Sequence, residues 1–453
     1  MNNKETDGEN RGTPEEGTLL SLRYAWYVVF VLMLCYTLSF VDRQILAFLI
    51  GPIKQDLQIS DTYIGLLGGL AFALLYTVLG LPMGRFADTR SRRGIIAIGI
   101  LFWSAMTVMC SVARSFWSLF AARVGVGVGE ATLAPAAFSM ISDYFPKDRI
   151  ARALSVYAMG IIIGAGLALI LGGAVVQAVT QLPPVAMPWG GMMEAWRLTF
   201  VVVGLPGFLI ALLLLTVKEP HRRNVMRDAG GSVKQVSVGE AIAHIRERWV
   251  SVLGVAVGMA CQSLCNYATG FWAPAYFARV HGWTPGPTGM ALGLATIFAG
   301  CTGLYAGGWF CDHWQQRGIR EAPLRVGIIG IAGAAVALVP AFLASDAWIT
   351  IAFLVPALFF LGFPIGSTYA SVQWIFPNQV RGMASALVMF VLNLGGMSLG
   401  SLLPGFFNNY LFHNEAMIGQ SLVLTVAIAS MMGVAVFRAT YVPYRSDHER
   451  LNG

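Results

Sequence analysis

Twelve times along its 453 residues the chain runs apolar for about 20 residues or more, the length a helix needs to cross the roughly 30 Å hydrocarbon core of a bilayer. The runs fall near 24–53, 61–85, 94–113, 116–143, 149–178, 195–217, 249–280, 286–312, 323–344, 347–374, 379–409 and 416–442. Inside lipid every backbone N–H and C=O must find a partner within the protein, which leaves helices and closed barrels. A barrel strand would show as a segment of about ten residues alternating apolar and polar, whereas these runs are continuous. Composition agrees: 56% of residues are apolar and 12% charged, against about 25% charged in soluble domains. A soluble globule and a disordered chain are excluded. The sequence predicts an all-α membrane protein of twelve transmembrane helices.

The net charge of +7 does not point to nucleic acid, because the basic residues are scattered through short loops between the runs. Counting span ends with the loops they adjoin, 24 of the 30 Lys and Arg residues share a side with both termini. Lys54, Arg114, Arg197 and Arg279 fall on the other side. Basic residues collect in cytoplasmic loops, so both termini are assigned to the cytoplasm of a multi-pass protein of the cell (inner) membrane. Residues 1–23 and 443–453 read as cytoplasmic tails. The first carries Glu5, Asp7, Glu9, Glu15 and Glu16 and lacks the basic start and short apolar core of a signal peptide. The six cysteines lie in apolar runs without a CxxC pair or a neighbouring histidine, so no metal is expected. No cofactor motif occurs, and the chain is read as a monomer.

A loop at 218–248 divides the runs six and six. It holds KEPHRR, a Gly230-Gly231 break and the helical spacing SVGEAIAHIRERW, which suits an amphipathic helix on the membrane surface. Residues 24–217 and 249–442 are then two bundles, and they echo each other. Gly84-Arg85-Phe86-Ala87-Asp88, followed by Arg92-Arg93, matches Gly308-Trp-Phe-Cys-Asp312, followed by Arg317. Tyr144-Phe-Pro-Lys-Asp-Arg149 matches Ile375-Phe-Pro-Asn-Gln-Val-Arg381. Both pairs lie at the same ordinal positions in their halves. Two parallel six-helix repeats are the layout of major facilitator transporters.

The motif Gly84-xxx-Asp88-xxx-Arg92-Arg93 resembles the signature loop of that superfamily, over nearly the whole of residues 24–442. More narrowly, Asp42-Arg43, Arg123-x-Gly125-x-Gly127-x-Gly129-Glu130-Ala131, Ser142-Asp143-Tyr-Phe-Pro, Trp196-Arg197 and Lys218-Glu219-Pro220 resemble the Spinster-type branch. That resemblance implies export of lysolipids and sphingoid lipids such as sphingosine-1-phosphate. Asp-Arg in span 1 and Arg…Glu in span 4 also mark organic-anion/proton symporters, which keeps a proton-coupled organic-anion symporter open as the alternative. Span 5 is rich in glycine but lacks the proline of the antiporter signature.

Four charged residues lie deep in the spans: Asp42, Arg43, Arg123 and Glu130. Each is costly facing lipid, so they are expected to face a central cavity and to pair. Arg43 and Arg123 are expected to line that cavity within salt-bridge reach of Asp42 or Glu130. At about 1.5 Å per residue, Asp42 and Arg123 sit at similar heights, and Glu130 lies two turns from Arg123 on the same face. The histidines all fall in loops, tails or span ends, so a carried proton falls to Glu130 or Asp42. Arg43, Arg123 and Glu130 are candidate substrate contacts, with Asn266, Tyr267, Trp272, Tyr369 and Asn393 facing them from an uncharged second half. A charged half against an uncharged one suits an amphiphile. Gly84, Arg85, Asp88, Arg92, Arg93 and Arg149 are read as a conformational latch, a carboxylate facing a helix N-terminus and nearby arginines. No Gly-x-Ser-x-Gly, HExxH or histidine dyad lies in a span, so an enzyme is not expected.

Overall fold

The computed structural model describes residues 22–145, 147–183, 185–186, 192–220, 238–376 and 378–452. Among them twelve helices are long and apolar enough to span a bilayer. Spans 1 to 6 are Leu22–Phe48, Asp61–Gly80, Arg92–Cys110, Phe116–Tyr144, Gly160–Thr180 and Ala195–Leu214. Spans 7 to 12 are Trp249–His281, Pro285–Gln316, Ala322–Leu343, Ala347–Val372, Met383–Phe412 and Glu415–Arg450. The twelve runs read from the sequence are thus all helices. The loop between spans 5 and 6 adds a two-residue antiparallel pair, Val185–Ala186 with Met192–Met193.

Two parts of the connecting chain differ from the sequence reading or go beyond it. Residues 443–452 are not a tail: they continue the helix Ile418–Asn452. The continuation is held because it has a buried face. Tyr444 is fully buried and donates to the Ser371 carbonyl at 2.9 Å, and the Ser251 hydroxyl donates to Asp447 at 2.5 Å. In the central loop, Val238–Glu247 is a helix that packs Ile245 on the second half and leaves Ile242 exposed.

Proline breaks two spans at matching places. Span 4 is two helices, Phe116–Glu130 and Leu133–Tyr144, because Pro135 has no N–H for the Ala131 carbonyl. Span 10 is likewise divided at Phe363-Pro364 between Ala347–Gly362 and Ile365–Ile375. Span 11 widens into a π-helical turn at Leu392–Met397.

The two halves are joined most closely at the face opposite the termini. There a single apolar cluster takes residues from both halves, including Phe48, Phe116, Phe271 and Trp272. Towards the terminal face each half has its own core: Trp103, Tyr157 and Phe145 in the first, Val252, Phe376 and Phe437 in the second. Spans 5 and 8 meet along bare backbone. A Cβ on Gly166 would sit 2.7 Å from the Gly293 carbonyl oxygen, and Gly173 and Gly289 approach each other in the same way one turn or two further on. Only glycine permits helices to come this near.

Candidate functional site

The deep charges come together in the first half. Arg43 reaches from span 1 to Glu130 in span 4, with Nη2 at 2.6 Å and Nε at 2.7 Å from Oε2. Glu130 closes the helix segment Phe116–Glu130, where the macrodipole disfavours an anion, and Arg43 offsets this. The glycines of the Arg123–Glu130 motif make room for its neighbours: Gly127 abuts the Phe72 carbonyl and Gly129 abuts Trp103. The Arg43 guanidinium is stacked about by rings, with its carbon 4.3 Å from the centre of Phe72, 5.0 Å from Tyr76 and 5.2 Å from Phe40. Such cation–π contacts stabilise a desolvated cation by roughly 2 kcal/mol or more. The Tyr267 phenol faces Arg43 from the second half.

Exposure distinguishes the members of the cluster. Asp42, Arg123 and Glu130 are buried, and the Arg43 side chain keeps 13% of its surface open. Arg43 is therefore the edge of the cluster and the others are its interior. The expectation that Arg123 lines the cavity in ion-pair contact with a carboxylate is corrected here. Its Nη1 donates to the backbone carbonyl of Asp42 at 2.8 Å, and among the described residues it makes no ion pair with Asp42 or Glu130. Adjacent helix residues point about 100° apart, so Arg43 faces Glu130 while Asp42 turns inward toward the Trp103 indole. Neither Asp42 carboxyl oxygen makes a hydrogen bond of normal geometry, and Glu130 Oε1 is also without one.

The second-half candidates separate. Tyr267 is part-buried opposite Arg43, Asn266 is exposed beside it, and Asn393 is part-buried in the π-helical turn of span 11. Turns of that kind re-aim side chains and recur at functional sites. Trp272 is fully buried and donates its indole N–H to the Ser401 carbonyl at 2.8 Å, so it ties span 7 to span 11. The side chains of Gly84, Arg85, Asp88 and Tyr369 lie outside the described residues.

The remaining latch residues are tied within the first half. Arg92 is buried at the start of span 3 and bonds to Asp143, to Ser139 Oγ at 2.9 Å, to Glu219 at 2.9 Å and to the Pro220 carbonyl at 2.9 Å. Glu219 also accepts from the Ser91 hydroxyl and the Arg93 backbone N–H, each at 2.9 Å. Burial opposes ionisation of Glu219, but these donors outweigh it and hold the carboxyl below its usual range. The Lys218-Glu219-Pro220 and Ser142-Asp143-Tyr144 motifs are thus partners of Arg92 and of each other, since the Tyr144 hydroxyl donates to the Lys218 carbonyl. Arg149 is exposed at the start of the helix leading into span 5.

A second ionic cluster, absent from the sequence reading, joins the halves at the face opposite the termini. Asp61, fully buried at the start of span 2, accepts from Lys54 at 2.6 Å, from both Arg279 Nη atoms at 2.7 and 2.8 Å and from Asn408 at 2.7 Å. Glu415 lies 2.6 Å from Lys54 and 3.9 Å from Arg279. Lys54 and Asp61 come from the first half, the other three from the second. The aromatic cage of Arg43 was missed as well. Its one sequence signal was Phe72 and Tyr76, four residues apart and so on one helix face.

Comparisons place this geometry. The Major Facilitator Superfamily model matches residues 32–401. The chain is 29% identical over 432 residues to an MFS-type efflux pump of Mycolicibacterium smegmatis, covering 94% of each. It is 28% identical over 453 residues to Protein spinster homolog 1 of Mus musculus, covering 93% of this chain and 81% of that one. Among solved structures, a bacterial homologue of the human lysosomal transporter Spinster, in an inward-facing and unoccupied conformation, superposes with a TM-score of 0.82 at 26% identity. That match covers 94% of this chain and 99% of that one. Family match, relatives, twelve spans and a paired charge cluster deep in the first bundle agree: the chain belongs to the Major Facilitator Superfamily and is a Spinster-like secondary transporter.

Proposed function

We propose that the protein moves an amphiphilic lipid, a lysophospholipid or a sphingoid lipid such as sphingosine-1-phosphate, by alternating access coupled to protons. The observation that carries this reading is the Arg43–Glu130 pair at the edge of a buried cluster, ringed by Phe40, Phe72 and Tyr76. An anionic head group competes with Glu130 for Arg43. Once displaced, Glu130 is a buried carboxylate without its cation, a state that costs several kcal/mol, and taking a proton removes that cost. Substrate and proton therefore load together, with Asp42 as the second carboxyl beside Arg123. The apolar, uncharged second half offers a surface for the alkyl chain, with Tyr267, Asn266 and Asn393 at the head-group end. The excess of basic residues on the terminal side supports cytoplasmic termini in the inner membrane. With that orientation, closure at the Asp61 face corresponds to an inward-facing state, as in the solved homologue of that description.

Thermal shift of the detergent-solubilised protein tests the substrate class. Lysophosphatidylglycerol or sphingosine-1-phosphate should raise the melting temperature, and Arg43→Gln should abolish the rise. Stabilisation by gluconate and not by the amphiphiles would transfer the assignment to organic-anion symport. In proteoliposomes an imposed pH gradient should accelerate flux; indifference to the gradient would leave uniport.

A further inference from the structure

The outer surface of the second half carries a groove of about 770 Å³ between the start of span 9 and the last third of span 12. Two helix stripes form its walls. Arg438, Tyr441 and Arg445 recur at helical spacing along span 12, and Arg325, Ile328 and Ile329 do the same on span 9. Arg438 and Arg325 flank the Tyr441 ring at 4.9 and 5.9 Å. Positive charge is in excess. The one carboxylate in the lining, Glu321, is paired with Arg325 at 2.6 Å. Arg325 Nε is buried without a partner, and Arg438 makes no ion pair among the described residues. Arg445 pairs with the exposed Glu449 at 3.1 Å, its one ion pair among the described residues.

The height of the groove matters as much as its charge. Arg438 follows the start of the helix Ile418–Asn452 by twenty residues, roughly 30 Å at 1.5 Å per residue, which is the thickness of the hydrocarbon core. The guanidinium groups therefore sit at head-group level. Val434 and Ile329, about a turn deeper on the two helices, present an apolar floor to the acyl region. A free anion would use the arginines and leave the floor bare; a neutral lipid would do the reverse.

We propose that this groove binds an anionic phospholipid, its phosphodiester held by Arg325, Arg438 and Arg445 and its acyl chains laid on Val434 and Ile329. Basic clefts between spans at the membrane interface suit such head groups. The site is separate from the Arg43–Glu130 cluster, because spans 9 and 12 pack on helices of the second half, and it does not depend on what is transported.

The test is native mass spectrometry of the purified full chain titrated with dioleoyl phosphatidylglycerol or dioleoyl phosphatidylcholine. The parent protein should bind phosphatidylglycerol about a hundredfold more tightly, a factor of about five from each of three arginines. The preference should fall about fivefold for each arginine removed, the effect of one basic residue at an anionic surface, and vanish in the triple variant Arg325→Gln/Arg438→Gln/Arg445→Gln. Arg438→Gln alone, which breaks no ion pair among the described residues, should lose its fivefold share while melting like the parent in mixed micelles of detergent and phosphatidylcholine. Arg43→Gln should keep the full preference. Equal affinity of the parent for the two lipids, an undiminished preference in Arg438→Gln, loss of the preference in Arg43→Gln, or equal stabilisation by inorganic phosphate would each overturn the proposal.

Discussion

Asp61→Asn isolates the ionic closure at the face opposite the termini. Asp61 is fully buried and accepts four hydrogen bonds, three of them from Lys54 and Arg279. A hydrogen bond to a charged group contributes about 1.5–3 kcal/mol. Each Asp61 oxygen accepts two of the four bonds; asparagine keeps one acceptor oxygen and turns an N–H₂ toward the other pair of donors, so two of the four bonds to the carboxylate are lost whichever oxygen remains. Glu415 already touches Lys54 but is 64% exposed and recovers only part. The net loss is about 3–4 kcal/mol. Arg279 and Asn408 lie in the other half, so the part of the loss that falls on their bonds is borne by the closed state and raises the open-to-closed ratio by up to two to three orders of magnitude, at about 1.4 kcal/mol per factor of ten. Spin labels at Arg114→Cys and Ser345→Cys, both exposed on this face and in opposite halves, read the change as a longer distance population; Cys301 is replaced by Ala to keep labelling specific. An Asp61→Asn/Arg279→Gln double variant should add little to the single ones. An unchanged distance distribution with a lowered melting temperature would refute the reasoning, since Asp61 would then hold the fold and not the closed state.

Glu130→Gln should lose flux driven by a pH gradient yet retain ligand-induced thermal stabilisation or counterflow exchange; a parent-like response to the gradient would move coupling to Asp42. Arg92→Gln removes a buried ion-pair partner of Asp143 and Glu219 and should cost about 3–5 kcal/mol, seen as a lowered melting temperature without altered ligand preference. The Glu219 carboxyl is held below its ordinary value of 4.5 in the folded protein, so its stabilisation is full above that pH and is lost as pH falls through the lower folded value. The melting temperatures of Glu219→Gln and the parent should therefore converge only in that acid range. Gly166→Val should drive spans 5 and 8 apart and lower yield or stability, while Gly308→Val, where nothing lies within 4 Å, should be tolerated. A green fluorescent protein fused after Gly453 should fluoresce if the termini are cytoplasmic, and a dark but full-length fusion would reverse the orientation.

Depth and type of charge were readable from the sequence, and so was the pairing of Arg43 with a deep carboxylate; the partners of the other charges were not. Apolar run length located all twelve spans, and the rarity of Asp42, Arg43, Arg123 and Glu130 in lipid-depth positions marked them as a group. Position on one helix gives height and direction, but not which side chain of another helix stands opposite. Hence Arg123 was expected to meet a carboxylate and instead bonds to the Asp42 carbonyl. Asp61, Lys54 and Arg279 escaped notice because charges at span ends are ordinary in interfacial loops. Only the packing of span 2 against span 11 shows that Asp61 is fully buried. Trp272 looked like a cavity aromatic, yet its indole is spent on Ser401. The latch motif was legible as a motif, but Arg92 finds its partners after span 6 and at the end of span 4, a closure set by tertiary folding.

The glycine contacts between spans 5 and 8 have a mechanical consequence. Where backbone lies on backbone there are no rotamers to exchange, so a small rotation of one half over the other meets little resistance from interlocking side chains. The same bareness makes the seam intolerant, because any side chain acts as a wedge with nowhere to fold away. Friction and selectivity are then divided between places: spans 5 and 8 supply a smooth bearing, and the timing of each stroke is left to contacts that must break, such as the three bonds that Asp61 accepts from Arg279 and Asn408 across the halves.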